Sequence, residues 1–360
     1  MKAVIIAGGR GERLRPLTQD RPKPLVPVAG KPLVFYLLER LHGLGVDEVA
    51  ITTGYLGERI RAAVGDGSQF RLRVRYAEEP EPRGTAGGVR DLLPFLDDTF
   101  LVVSGDALCE LDVARMAAIH RAGGNIATLC LAPPESALRF GLVRTHGARV
   151  HSFTEKPSLE RLLPGAGINT GIYMLEPEAV QGVPDHGMVD FAKDVFPGLL
   201  RAGHAIGAVY ATTYWRDVGT LAAYRDVHAE ALTGSWPWPR PVGGPAYVAP
   251  SARLHGPVYL GAGTRVGEDA HIEGPVFIGA GCRIGAGATV RNCVLLDGAR
   301  AGTHSSVIDS VLCEGALAPA GSVLVGSAIA RTPEAEGEHA SSGRLSALAR
   351  QERRVPVPRR

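Results

Sequence analysis

The sequence predicts a two-part chain: an α/β unit on a mixed, mostly parallel sheet, followed by a left-handed parallel β-helix. Two observations predict it. Short runs rich in Val and Ile alternate with helix-like segments up to about Val227, the pattern of a sheet covered by helices. From Val248 onward an aliphatic residue recurs at every sixth position, the repeat of a β-helix built from hexapeptides.

The elements of the first part follow in order. Lys2 to Ala7 reads as a strand that runs into Gly8, Gly9 and Gly11. Pro32 to His42 reads as a helix, with proline at its start and Gly43 and Gly45 at its end. Glu48 to Thr53 is a strand, Gly57 to Val64 helical, Arg73 to Ala77 a strand, Gly88 to Leu93 helical and Phe100 to Ser104 a strand. Further strands are expected at Ile126–Leu131, Arg149–Phe153, Thr170–Leu175 and Ile206–Ala211.

SWPWPRPVGGP, residues 235–245, reads as a linker that closes a first domain at residue 234. Beyond it Val248, Leu254, Leu260, Val266, Ile272, Ile278, Ile284, Val290 and Leu296 keep the period of six. Gly302 breaks that register, Ile308 restores it and Glu314 ends it. The expectation is a β-helix of about four coils over residues 246–330. A polar tail follows from 331 to 360, with a basic end and a solvated character.

Composition excludes several classes of function. The formal net charge of +2 lacks the global signature of a nucleic-acid binder. No stretch reaches the length of a membrane span, and Ala3 to Ala7 is too short for a signal segment. Cys109, Cys130, Cys282, Cys293 and Cys313 form no CxxC pair and no metal spacing. They read as free thiols of a cytoplasmic protein.

The glycine loop carries the chemistry. Glycines after a strand let backbone N–H groups approach an anion. No GK[ST] follows, and Leu14 stands where a dinucleotide fingerprint needs its third glycine. Residues 10–31 nevertheless hold six cations (Arg10, Arg13, Arg15, Arg21, Lys23 and Lys31) against Glu12 and Asp20. That local excess matches the charge of a triphosphate. Pro16, Pro22, Pro24 and Pro27 stiffen the segment and lower the entropy lost on binding. In LVVSGD an apolar strand ends at Asp106, a position where α/β sheets bind ligands and where a carboxylate suits Mg²⁺.

GGRGERLRPLTQDRPKPLVPV resembles the signature of the sugar-1-phosphate nucleotidyltransferases, with Glu12 where that family usually has a small residue. GTAGG (84–88), SGD (104–106), EKP (155–157), NTG (169–171) and WRDVGT (215–220) resemble further motifs of the family, in the family's order. Ser104 stands where the family usually has Asn. The resemblance implies a Rossmann-like nucleotidyltransferase domain. It implies nucleotide binding by Ala7, Gly8, Gly9, Gly11, Gly84, Thr85 and Ala86, and catalysis by Arg13, Lys23 and Lys156. It implies sugar-phosphate binding by Gly141, Glu155, Lys156, Asn169 and Thr170, with Mg²⁺ on Asp106 and Asp217. The partners implied are an NTP and a sugar 1-phosphate. The stacked apolar faces of the β-helix point to a homo-oligomer formed through it.

The chemistry that follows is attack of the sugar phosphate on the α-phosphorus, with pyrophosphate leaving in line. The attacking phosphate is already ionised, so positioning and charge stabilisation dominate. The combination most resembles mannose-1-phosphate guanylyltransferases. Thymidylyl- and uridylyltransferases acting on glucose 1-phosphate are the alternative. An acyltransferase centred on His255, His271 or His304, or a regulatory subunit without turnover, are the readings of other classes.

Overall fold

A computed structural model describes residues 1–133, 141–154, 166–210, 212–234 and 236–331. The α/β half follows the expected alternation. Strand β1 (Lys2–Ala7) leads through the cationic segment and a hairpin, β2 (Pro27–Val28) and β3 (Lys31–Pro32), into helix α1 (Leu33–Gly43). Then come β4 (Glu48–Thr53), α2 (Gly57–Val64), β5 (Arg73–Glu78), α3 (Gly84–Arg90), β6 (Phe100–Ser104), β7 (Ala107–Leu111) and α4 (Val113–Ala122). Strands β8 (Ala127–Ala132), β9 (Leu142–His146), β10 (Arg149–Thr154) and β11 (Ala166–Leu175) precede α5 (Glu178–Gln181) and α6 (Phe196–Arg201). Strands β12 (Ile206–Val209) and β13 (Thr212–Asp217) and helix α7 (Leu221–Thr233) end this half.

Among the described residues nine strands form one sheet in the order β5-β4-β1-β6-β11-β8-β12-β10-β9. Seven of the nine run one way, and β11 and β10 run against them. Both faces of the sheet are covered, which is why β1, β4 and β6 read as nearly continuous apolar runs. Leu37, Leu38, Ile60 and Met116 pack on one face, and Val89, Val180 and Phe196 on the other. A separate two-stranded ribbon pairs β13 antiparallel with β7. The sequence reading did not pick out that ribbon, nor β9, α4 or α7.

The second half is the left-handed β-helix, with three parallel sheets of five short strands each. Among the described residues it therefore has five coils where four were expected. Its inward columns are in register, as in Val248–Val266–Ile284–Ala301–Ala318 and Leu254–Ile272–Val290–Val307–Leu324. Pairing steps along the chain by 18 residues as far as Ile284 and by 17 after it. The residue is lost on the third face, where the three-residue strand Val276–Ile278 pairs with the two-residue strand Val294–Leu295. This lost residue moves Gly302 out of register and puts Ala301 inside, so a strict period of six ends too early.

The two halves share one apolar core. Leu14, Leu17, Val26 and Val28 of the cationic segment, Tyr224 and Val227 of α7, and the interior of the β-helix belong to the same cluster. Trp236 and Trp238, from the stretch read as a linker, pack edge-on against Tyr36. His228 of α7 lies between the halves, with its ring 4.9 Å from that of Phe277. The tail from residue 332 lies outside the described residues. Among those described, no helix is long and apolar enough to cross a membrane.

Candidate active site

The site lies where β1 meets β6 at their carboxyl ends. Strands β4 and β5 lie on one side of β1 and the later strand β6 on the other, so the strand order reverses at this crevice. Such reversal points are where α/β sheets bind ligands. Gly105 makes the close approach possible, since a Cβ there would stand 2.7 Å from the Ile6 carbonyl. Gly11 takes a left-handed conformation, φ 63°, and turns the chain into the short helical turn Glu12–Leu14. A cleft of about 390 Å³ opens here, lined by Gly9, Arg10, Arg13, Lys23 and Asp106 among others. Glu12 also lines it. The candidates Ala7, Gly9, Gly11, Arg13, Lys23 and Asp106 are thus brought to one cavity.

Lys23 joins the two carboxylates. Its ammonium donates to Asp106 Oδ2 at 2.5 Å and to Asp217 Oδ1 at 3.4 Å. Asp106 and Asp217 are distant in sequence, and the β7–β13 ribbon brings them together by pairing Ala107 with Asp217. Ser104 Oγ donates to the other oxygen of Asp106 at 2.5 Å. The Arg13 guanidinium flanks Gly219 on the same side as Asp217.

Burial penalises all three charges, and their neighbours decide the balance. Lys23 is pulled down by burial, but the Asp106 and Asp217 charges outweigh that and hold it above the ordinary lysine range. Asp106 is pushed up by burial and pulled further down by the Lys23 charge and the hydrogen bonds from Lys23 and Ser104. Asp217 stays raised, because burial and the Asp106 charge exceed the help from Lys23 and Arg13.

Two carboxylates within reach of one cation are a donor set that Mg²⁺ accepts, because it takes one or two carboxylates and leaves its other positions to water and phosphates. Among the described residues no cluster of three or more His, Cys, Asp or Glu forms a full protein cage. The residues present therefore fit a divalent ion shared with a phosphate substrate.

The remaining candidates divide. Gly8 lies against the Glu79 carboxylate, about 3.2 Å from where its Cβ would stand, and that carboxylate also abuts Gly88 of α3. Glu79 was missed by sequence reasoning, since one acid in the run EEPEP carries no signal by itself. Burial pushes its carboxyl up. Gly84 begins α3. Thr85 and Ala86 are bonded to residues 189–191: Thr85 Oγ1 donates to Asp190 at 3.0 Å and accepts from the Phe191 N–H, and the Ala86 N–H goes to the Val189 carbonyl.

Gly141 and Asn169 are neighbours through a 2.8 Å backbone hydrogen bond. The Thr170 hydroxyl is buried on the Cys130 carbonyl. Pairing of Ile172 with Val103 brings this segment beside the Asp106 strand. Glu155 and Lys156 lie outside the described residues. His255 and His271 pair with each other on an outer face of the β-helix at 5.5 Å between rings. Among the described residues none of His255, His271 and His304 is bonded to an acid.

A model of the nucleotidyl transferase family matches residues 2–234, and a model of the GMPPB C-terminal domain matches residues 254–328. A UTP--glucose-1-phosphate uridylyltransferase of Synechocystis is 34% identical over 83% of this chain and 84% of its own length. A mannose-1-phosphate guanylyltransferase of Mycobacterium tuberculosis is 35% identical over 74% of this chain and 76% of its own. A mannose-1-phosphate guanyltransferase of Neurospora crassa is 33% identical over 83% of this chain and 82% of its own. With well over half its length in the first match and these proteins as its relatives, the chain belongs to the nucleotidyl transferase family, among the sugar-1-phosphate nucleotidyltransferases.

Proposed function

We propose that this chain joins GTP and mannose 1-phosphate to give GDP-mannose and pyrophosphate. The observation that carries the transfer chemistry is the Asp106–Lys23–Asp217 constellation under the glycine loop. A phosphate oxygen of the sugar forms the new bond to the α-phosphorus, and the bond to the β-phosphate bridging oxygen breaks. Arg13 and Lys23 hold the phosphates and offset the repulsion between two anions. Asp106 and Asp217 would hold Mg²⁺, which supplies charge neutralisation on the phosphate oxygens when bound. The chain's own contribution is positioning, since no group has to remove a proton from the attacking phosphate.

Two features support guanine. The names of the Mycobacterium and Neurospora relatives point to GTP. The Glu79 carboxylate, between Gly8 and Gly88, suits the adjacent N1–H and amino donors of guanine. It would repel the carbonyls that flank N3 in uracil and thymine. The name of the Synechocystis relative keeps UTP with glucose 1-phosphate as the second reading.

The five free, buried thiols support a reducing, cytoplasmic setting. Exposed Leu317, Val323 and Val325 on the last coil support self-association at that end of the β-helix. The experiment is pyrophosphate release with Mg²⁺, crossing GTP, UTP, dTTP, ATP and CTP with mannose and glucose 1-phosphates. GTP with mannose 1-phosphate should dominate. Another dominant pair would keep the mechanism and overturn the substrates.

A further inference from the structure

Glu314 ends the sequence's aliphatic series, and the β-helix does not use it as a core residue. It stands in the turn between strands Val311–Leu312 and Leu317–Ala318. Its carboxylate reaches across to the α/β half and pairs with Arg21 at 2.6 Å. Arg21 belongs to the cationic segment, two residues before Lys23.

That segment is suspended from several tethers. Tyr55 donates to the Gln19 carbonyl at 2.7 Å, and Arg59 donates to the Asp20 carbonyl. Further along, the Tyr224 hydroxyl donates to the Pro27 carbonyl at 2.6 Å, and the Ala29 N–H donates to His228 at 3.2 Å. Across residues 21–26, among the described residues, Val26 is buried in the shared apolar core, and the polar side-chain tethers are Lys23 on its carboxylates and Arg21 on Glu314. Of the polar partners, Glu314 is the one that comes from the β-helix.

The stretch between Arg21 and Lys23 transmits position. Pro22 and Pro24 flank Lys23 and restrict the backbone. The Leu25 and Val26 N–H groups close a tight turn on the Pro22 and Lys23 carbonyls at 2.9 and 3.0 Å. A displacement of Arg21 therefore moves the Lys23 backbone, with little slack to absorb it. The Lys23 ammonium must meet two carboxylates and, on the reading above, a phosphate. An ångström there matters to transfer chemistry.

We propose that Glu314 is a positioning residue: through Arg21 it sets where Lys23 stands, so the β-helix completes the site of the α/β half. This rests on the nucleotidyl-transfer reading of that site. The pair is partly exposed, with side chains 25% and 38% accessible. Such pairs add little to overall stability, so its effect falls on turnover.

The test uses the full chain and the variants E314R, R21E and the swapped double R21E/E314R, with the substrates that the wild type turns over. E314R and R21E should each lower kcat about tenfold, with the KM for NTP changed less and the thermal midpoint unchanged. The swapped double should recover most of the lost kcat. Wild-type kcat in E314R overturns the proposal. So does a loss in R21E that the swap leaves unrestored, because Arg21 then acts on something other than Glu314.

Hydrogen exchange on the free protein separates this from a failure of the functional reading. The Leu25 and Val26 amides should exchange faster in E314R while β1 and β6 amides do not change. Unchanged exchange at Leu25 and Val26 overturns the coupling even if the wild type turns over no substrate pair.

Discussion

The β-helix and the α/β half solve the same problem, bringing distant residues together, in opposite ways. In the β-helix each inward residue meets its neighbour 17 or 18 positions along the chain, coil after coil. Lys23, Asp106 and Asp217 meet only because a central sheet, a separate ribbon and a stiff loop converge. One half is held by repetition and the other by singular contacts. Mutations in the inward columns of the β-helix should therefore read out in stability, and mutations in the cleft, or at the Glu314–Arg21 contact beside it, in turnover.

The largest stability effect is expected from Ile272→Ala. Ile272 is fully buried in the second inward column. Its truncation should cost about 2–5 kcal/mol in denaturant melts, with kcat kept below the transition. A fall in kcat without a fall in stability would break the division drawn here.

His228 joins the halves and should make stability depend on pH. Its Nδ1–H donates to the Tyr224 carbonyl and its Nε2 accepts from the Ala29 N–H, so the neutral ring is the one that fits. Burial lowers its pKa to about 4. The folded value lies below the unfolded one near 6.5. This contribution is therefore full above that pH and is lost as pH falls toward 4. By pH 5 the loss amounts to about 2 kcal/mol. The wild type should lose that much more than His228→Phe between pH 7.5 and 5, and equal losses would remove His228 from the account.

Glu79→Gln tests the base. It should reduce the preference for GTP over UTP by about tenfold, in line with about 1–3 kcal/mol for an unpaired polar group. Preference unchanged in kcat/KM would take Glu79 out of the recognition. The smallest effect belongs to Glu12, which lines the cleft beside Arg10 and Arg13. Glu12→Thr removes a negative charge facing the phosphates and should lower the KM for NTP by about threefold. A raised KM would mean that Glu12 helps hold the loop.

What was legible in the sequence follows the same division. The strands β1, β4 and β6 and the inward columns of the β-helix are written in local patterns of Val, Ile and Leu. The fifth coil was hidden because one dropped residue shifts the period and puts Ala301 and Ala318 where larger aliphatics were expected. The ribbon that joins Asp106 to Asp217 was hidden because ALCEL and TTYWRD have no marked alternation. Lys23 and the two aspartates were legible as motifs. The contact among them was not, since it depends on pairing between β7 and β13. Glu79 gave no local signal, and neither did the pairing of Glu314 with Arg21. The bonds of Thr85 and Ala86 to residues 189–191 likewise are contacts far along the chain.

The most direct test of the central claim is pyrophosphate release by Asp106→Ala and Asp217→Ala in Mg²⁺, with circular dichroism and thermal melts run beside it. Both variants should stay folded while kcat falls by at least about a thousandfold, the scale of losing an electrostatic element of transition-state stabilisation. A folded variant of either kind that releases pyrophosphate at the wild-type rate would contradict it.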